Sequence, residues 1–241
     1  LSSENKRLLT KGYRVPKEVY LWSQRWIAHV KDREEAPYIP TDVEGKVERL
    51  GITWQYPDPL LHRIHNLPGD ETLMVLASCD YMLEPFIAAL RAEGIPYFNP
   101  YADNGKWNPL VTQRKDVTTT AERLLAYLRP TNADTWWTSK ELSKWTALIK
   151  NDGILVYGAK EKIKVLPDRG LAFSELSPLF TEQGLNNACS LNPTWMITAA
   201  TKQAQRTLEY VVRIWQQRGE AGLIDEPKVV LGTIHSVKGG E

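Results

Sequence analysis

The sequence predicts an α/β fold, a parallel sheet with helices on both faces that a small, mainly helical domain interrupts. Three features carry that prediction. Leu73 to Cys79 is an apolar run broken only by Ser78, followed by Leu83, Phe86, Ile87 and Leu90 at helical spacing, then by Gly94 and a second short run, Ile95 to Phe98. Strand, helix and strand in that order imply a right-handed βαβ unit in a parallel sheet. A β-branched run, Lys228 to His235, reads as a later strand rejoining that sheet. Between them, about a hundred residues read as short helices separated by Pro and Gly rather than as further βα units. The expected division is therefore residues 1–100 with 201–241 as the α/β domain and 101–200 as the insert.

The elements follow in order. Pro16 suits the start of a helix, and Val19, Trp22, Trp26, Ile27 and Val30 then recur on one face, so residues 17–33 are expected to be an amphipathic helix. Pro37 and Pro40 end it, Gly45 turns the chain, and residues 46–54 are expected to be a strand. Residues 73–79 suit a strand buried on both faces, with Asp80 as the N-cap of the helix that Gly94 closes. Asn104, Gly105, Asn108 and Pro109 form a loop. Thr119 and Glu122 have capping-box spacing ahead of Leu124, Leu125 and Leu128. A helix over 134–149 holds Trp136, Trp137, Leu142, Trp145 and Leu148, and another at 201–218 carries Leu208, Val211, Val212 and Trp215 on one stripe.

Composition narrows the function classes. In 241 residues, 42% apolar and 24% charged are ordinary for a globular protein, which excludes collagen-like and disordered chains. No apolar run is longer than the five residues of Leu73–Ala77, so no membrane span is expected, and with no signal peptide the expected location is the cytoplasm. Cys79 and Cys189 stand apart from each other and from His residues, so both are expected to be small buried hydrophobes rather than a disulfide or zinc ligands. His62 and His65 are expected to be surface residues. A net charge of +1 gives no overall field toward nucleic acid. The start at Leu1 and the end after Gly239-Gly240 suggest a piece of something longer.

The last nine residues carry the most chemistry. Thr233-Ile-His-Ser-Val-Lys-Gly-Gly-Glu241 places hydroxyls, an imidazole, a lysine and two glycines at the C-terminal end of a predicted strand, where open parallel sheets bind ligands. The Gly-x-x-x-x-Gly-Lys-Ser/Thr phosphate loop occurs nowhere in the chain. Neighbouring His235 and Ser236 would point to opposite strand faces, so they make no catalytic dyad.

That segment resembles motif V of superfamily I DNA helicases of the UvrD, Rep and PcrA type. Leu9 to Pro16 (LTKGYRVP) is similar to motif IV of the same family, and Met74 to Tyr97, with Glu84 and a Gly-Ile-Pro-Tyr ending, looks like the strand and helix between them. The resemblance implies the second RecA-like motor domain, with a reduced version of the family's inserted helical domain. It implies Arg14 as the catalytic arginine at the γ-phosphate and Tyr13, Lys238, Gly239 and Glu241 at the nucleotide, with Glu241 on the ribose. Thr233, His235 and Ser236 would face single-stranded DNA. ATP and Mg²⁺ are the implied substrate and cofactor, with the Mg²⁺ ligands outside this chain on a missing N-terminal RecA-like domain. Departures from the pattern are Ser78 and Cys79 where an Arg is usual, Lys11 and Gly12 for Gln and Asn, and Gly240 for Leu. Lacking Walker A and B segments, the chain alone is expected to be inactive. The alternative is a non-catalytic nucleic-acid-binding or protein-interaction module that retains the motor fold. In residues 101–169, 12 Lys and Arg against 8 Asp and Glu are interleaved with Trp107, Trp136, Trp137 and Trp145, a second possible contact with nucleic acid if any Trp is exposed.

Overall fold

The computed structural model describes residues 10–33, 37–69, 71–102, 107–112, 114–129 and 136–237. The chain is mixed α/β, with two small parallel sheets and many helices. It divides into two compact units, Leu1–Gly51 and Ile52–Glu241. Among the described residues no helix is long and apolar enough to cross a membrane.

In the first unit, strand β1 (Lys11–Pro16) runs straight into helix α1 (Lys17–Ile27) and pairs in parallel with β2 (Ile39–Thr41). Pro16 ends the strand with an extended ψ of 153° and opens the helix, where the N–H it lacks is not needed. The helix stops at Ile27, short of the expected residue 33. Past its C-cap the chain turns, and Asp32 takes a left-handed φ of 57°, which no helix continues. Residues 46–54 form no strand: among the described residues no strand pairs with them to complete a ladder. None of α1 is buried. Trp22 and Trp26, one turn apart with ring centroids separated by 5.8 Å, are exposed.

In the second unit, β3 (Leu73–Ala77), β4 (Tyr97–Phe98) and β5 (Val229–Thr233) form a parallel sheet in the order β3-β5-β4. The last strand thus rejoins the first two by inserting between them, with Leu73 and Tyr97 both in register with Val229. Burial along β3 alternates, correcting the expectation of two covered faces. Met74 and Leu76 are exposed, because β3 is an edge strand whose outer face nothing covers among the described residues. Between Asp58–His65 (α2) and the sheet runs a loop; after β3, a 3-10 turn at Asp80–Leu83 leads into α3 (Glu84–Glu93). Asp80 is therefore not the N-cap of α3, which begins at Glu84 with Leu83 in the cap position. Gly94 closes α3 as expected, in a left-handed conformation with φ 65°.

The remaining helices are α4 (Thr120–Leu128), α5 (Ser139–Thr146), α6 (Ala159–Val165), α7 (Phe173–Leu176), α8 (Glu182–Cys189), α9 (Pro193–Ala199), α10 (Lys202–Arg218) and α11 (Ala221–Ile224). The Thr119–Glu122 capping box forms: the Thr119 hydroxyl accepts from the Glu122 N–H at 3.1 Å, and the Thr119 N–H donates to the Glu122 carboxylate at 2.6 Å. Thr138 and Glu141 make a second one for α5, which begins later than the sequence suggested. Helix α10 joins the sheet to the helical region. Its buried Leu208, Val211, Val212 and Ile214 belong to one hydrophobic core that runs from Tyr97 and Leu231 to Trp137 and Trp145. The Tyr210 hydroxyl donates to the Ile95 carbonyl at 2.8 Å, and its ring stacks on Tyr97 with centroids 5.6 Å apart.

The tryptophans of residues 101–200 are largely core. Trp107, Trp137 and Trp145 are buried and Trp136 is half-buried. Trp137 packs on Tyr127 and Trp145, and its indole N–H donates to the Tyr127 carbonyl at 2.8 Å. The Trp145 indole N–H, equally buried, has no hydrogen-bond partner among the described residues. Both Trp→Phe changes remove similar packing, but only Trp137→Phe breaks a buried hydrogen bond and leaves a carbonyl unpaired, at about 1–3 kcal/mol. Trp145→Phe is expected to be the milder by about that amount in urea denaturation; equal losses would contradict the pairing.

Candidate functional site

The C-terminal ends of three parallel strands gather the polar groups of the second unit. β5 ends in Thr233, and the pairing with β3 extends one residue further, the Ile234 N–H donating to the Ala77 carbonyl at 2.9 Å. Beyond it the chain winds into a first helical turn, with the Val237 N–H donating to the Thr233 carbonyl at 3.2 Å. Thr233 and Ser236 bind each other reciprocally. The Ser236 N–H donates to the Thr233 hydroxyl at 3.1 Å, and the Thr233 N–H donates to the Ser236 hydroxyl at 3.0 Å. This is a capping box with Ser in the usual Glu position, and it fixes a strand-to-helix turn without a charge. Thr233 and Ser236 are half-buried, whereas Ile234 and His235 stand exposed at the tip.

Flanking this tip are the ends of β3 and β4. At β3, Ser78, Cys79 and Asp80 are exposed, and the Tyr81 ring meets Trp54 edge-on at 5.5 Å. At β4, buried Asn99 and Asn108 clamp the turn. Asn99 N–H donates to the Asn108 Oδ1 at 2.7 Å, and Asn108 Nδ2 donates to the carbonyls of Asn99 at 2.8 Å and Ala102 at 2.5 Å. The Tyr101 N–H donates to Asn99 Oδ1 at 3.0 Å. That turn lays the Tyr101 ring over buried Gly232, where an added Cβ would stand 3.1 Å from the ring and 3.2 Å from Val237. Gly232 is what lets Tyr101 and the helical turn after β5 approach together. Asn108 falls in the predicted loop, and nothing in the sequence singles out Tyr101, Asn99 or Gly232, because the Asn99–Asn108 pairing across nine residues has no periodic signature.

The sequence-predicted residues fall in three places. Tyr13 and Arg14 lie on β1 in the first unit, both exposed. Thr233, His235 and Ser236 come together at the tip of β5 in the second unit. Lys238, Gly239 and Glu241 lie outside the described residues, as does Gly240. Among the described residues, no group of three or more His, Cys, Asp or Glu side chains is placed to hold a metal ion. The tip offers two hydroxyls and an imidazole. His62 and His65 are surface residues as expected, with His65 Nε2 at 2.6 Å from the Glu93 carboxylate.

The two cysteines differ. Cys79 is exposed, correcting the expectation that it is a buried hydrophobe, because it sits past the end of an edge strand. Cys189 is half-buried at the end of α8, and burial pushes its thiol up to about 11. The raised value keeps Cys189 protonated and unreactive at neutral pH. Iodoacetamide at pH 8 is expected to label Cys79 first and Cys189 only as the pH nears that value or the chain unfolds. Mass spectrometry finding equal labelling of both would contradict this. Compared with protein-family models, curated proteins and solved structures, the chain gives no match.

Proposed function

We propose that the chain is the second, RecA-like motor lobe of an ATP-dependent DNA helicase of the UvrD type, a 3′ to 5′ translocase on single-stranded DNA. The observation that carries this reading is the end of β5. A parallel strand flanked on both sides delivers Thr233, His235 and Ser236 into a strand-to-helix turn at the residues that resemble motif V. The C-terminal edge of such a sheet is where ligands bind in open α/β folds.

In this reading each side chain has a definite task. Thr233 and Ser236, locked to one another, hold the turn, and exposed His235 meets the strand. A shift of the DNA would move the turn and, through it, the following residues Lys238, Gly239 and Glu241 at the nucleotide. Arg14 supplies an always-charged planar donor to the transferring phosphoryl group, and Tyr13 packs beside the base. ATP is the substrate; Mg²⁺ would be held by carboxylates of the N-terminal lobe, because the resemblance assigns its ligands to a Walker B segment that this sequence lacks. The helical region of residues 101–200 stands as the family's reduced insert.

The test is ATP hydrolysis by the chain alone and joined to an N-terminal lobe carrying the phosphate-binding loop. Negligible turnover alone and DNA-stimulated turnover when joined are expected. Robust hydrolysis by the isolated chain, or none by the joined protein with single-stranded DNA present, would overturn the proposal.

A further inference from the structure

A second concave site shares no residue with the tip of β5. Helices α3 and α10 enclose a cleft of about 470 Å³. Helix α10 lines it with Arg206, Glu209, Tyr210 and Arg213, a stripe at i, i+3, i+4 and i+7. Helix α3 contributes Glu84, Ile87, Ala88 and Arg91 at the same spacing. Two such stripes make the walls of a groove that a third helix can enter.

Positive charge in the cleft is held in place. Arg91 Nε donates to the Tyr97 hydroxyl at 2.9 Å, and its guanidinium lies 5.9 Å from the Tyr97 ring centre and 5.7 Å from that of Tyr210. Arg213 Nη1 donates to the carbonyls of Arg91, at 3.2 Å, and Ala92, which ties α10 to the last turn of α3. Among the described residues that leaves Arg213 Nε and Nη2 without a partner. Arg206 and Glu209 are exposed, and among the described residues neither has a hydrogen bond or ion pair. Seven residues separate Arg206 from Arg213, so they project from one face of α10 about 10 Å apart along its axis. Ile87, Ala88 and buried Trp107 give the same cleft an apolar surface.

The charges select the occupant. Three guanidinium groups against two carboxylates favour an anion, but Glu84 and Glu209 would repel a strand of evenly spaced phosphates. Trp107 and Tyr210 are too buried to offer a ring face to a base. A peptide can alternate where a phosphodiester cannot, with carboxylates at the arginines and neutral groups at the glutamates.

We propose that this cleft binds an acidic amphipathic helix of a protein partner, one carboxylate on Arg213, a second on Arg206, and apolar side chains between them on Ile87 and Trp107. Acidic residues at i and i+7 of a helix match the two arginines, and apolar residues at i+3 and i+4 fall on the same face. The proposal goes beyond the motor reading and does not depend on it, because neither Arg14 nor the tip of β5 takes part.

The test is fluorescence anisotropy of the full chain with a fluorescein-labelled helical peptide of about 16 residues, Glu at i and i+7 and Leu at i+3 and i+4, at low salt. A peptide with Lys replacing both Glu is the control, and it should bind at least about tenfold more weakly. Arg206→Glu should weaken the acidic peptide about fivefold or more and bind a peptide with Lys at the matching position better than the parent does. Its thermal unfolding should match that of the parent, since Arg206 has no partner to lose. His235→Ala should leave peptide binding unchanged, so the result stands whether or not the β5 tip binds DNA. No saturable binding of the acidic peptide up to about 1 mM, or equal binding of the Lys peptide, would overturn the proposal. So would oligo(dT) or inorganic phosphate displacing the peptide at equal concentration, or self-association of the chain that Arg206→Glu abolishes.

Discussion

Arg14→Ala in the joined motor is expected to lower kcat for ATP hydrolysis about a thousandfold or more, with a much smaller effect on nucleotide affinity. Where a guanidinium meets a transferring phosphoryl group, its contribution grows as charge develops in the transition state, and removing it typically costs about 10³- to 10⁵-fold. Arg14 lies on β1, ahead of the turn into α1, and its side chain is exposed. Arg14→Lys keeps the charge but loses the planar fork, so it should recover only part of the rate. Steady-state kinetics with saturating single-stranded DNA read both effects. A kcat within tenfold of the parent for Arg14→Ala would remove Arg14 from the chemistry.

Asn108→Ala is expected to be the most destabilising polar substitution at the sheet edge, by about 3 kcal/mol. Its side chain accepts from Asn99 N–H and donates to two carbonyls, and both asparagines are buried. Truncation strands those groups away from water, at about 1–3 kcal/mol for each one left unpaired. Asn108→Asp restores the acceptor but not the donors, and it buries a carboxylate, so it should not rescue. Urea denaturation would show the loss as a lower midpoint at unchanged slope. A cost under about 1 kcal/mol would mean the clamp carries little of the turn's stability. The Tyr101 ring, set by that turn over Gly232, should lose its packing at the same time.

What was legible in the sequence was local. Gly94 ended a helix because only a residue tolerant of positive φ fits there, and the Thr119–Glu122 box was readable because both partners lie within four residues. The stripe of Leu208, Val211 and Val212 followed from helical periodicity. Parallel pairing of the late strand was also foreseen, though not its place between β3 and β4, which depends on contacts across more than a hundred residues. The failures share a cause. Whether Met74, Leu76 or Cys79 is covered depends on what packs over them, and hydrophobicity is silent on that. Trp145 and Tyr157 are twelve residues apart, one sealed in the core and the other fully exposed, a difference that only the closed loop between Ile149 and Thr181 decides. At the candidate site, polar residues at the end of a strand were visible in sequence; the Thr233–Ser236 lock and the Asn99–Asn108 clamp were not, because each is a particular hydrogen-bond geometry rather than a pattern.

The central claim is that the tip of β5 couples a bound single strand to ATP hydrolysis. Its most direct test is the ratio of ATP turnover with and without oligo(dT), measured for the joined motor and for its His235→Ala variant. The account predicts strong stimulation in the parent and at least about a tenfold smaller ratio in the variant. Full stimulation in His235→Ala, or a parent that hydrolyses ATP with no response to single-stranded DNA, would contradict it.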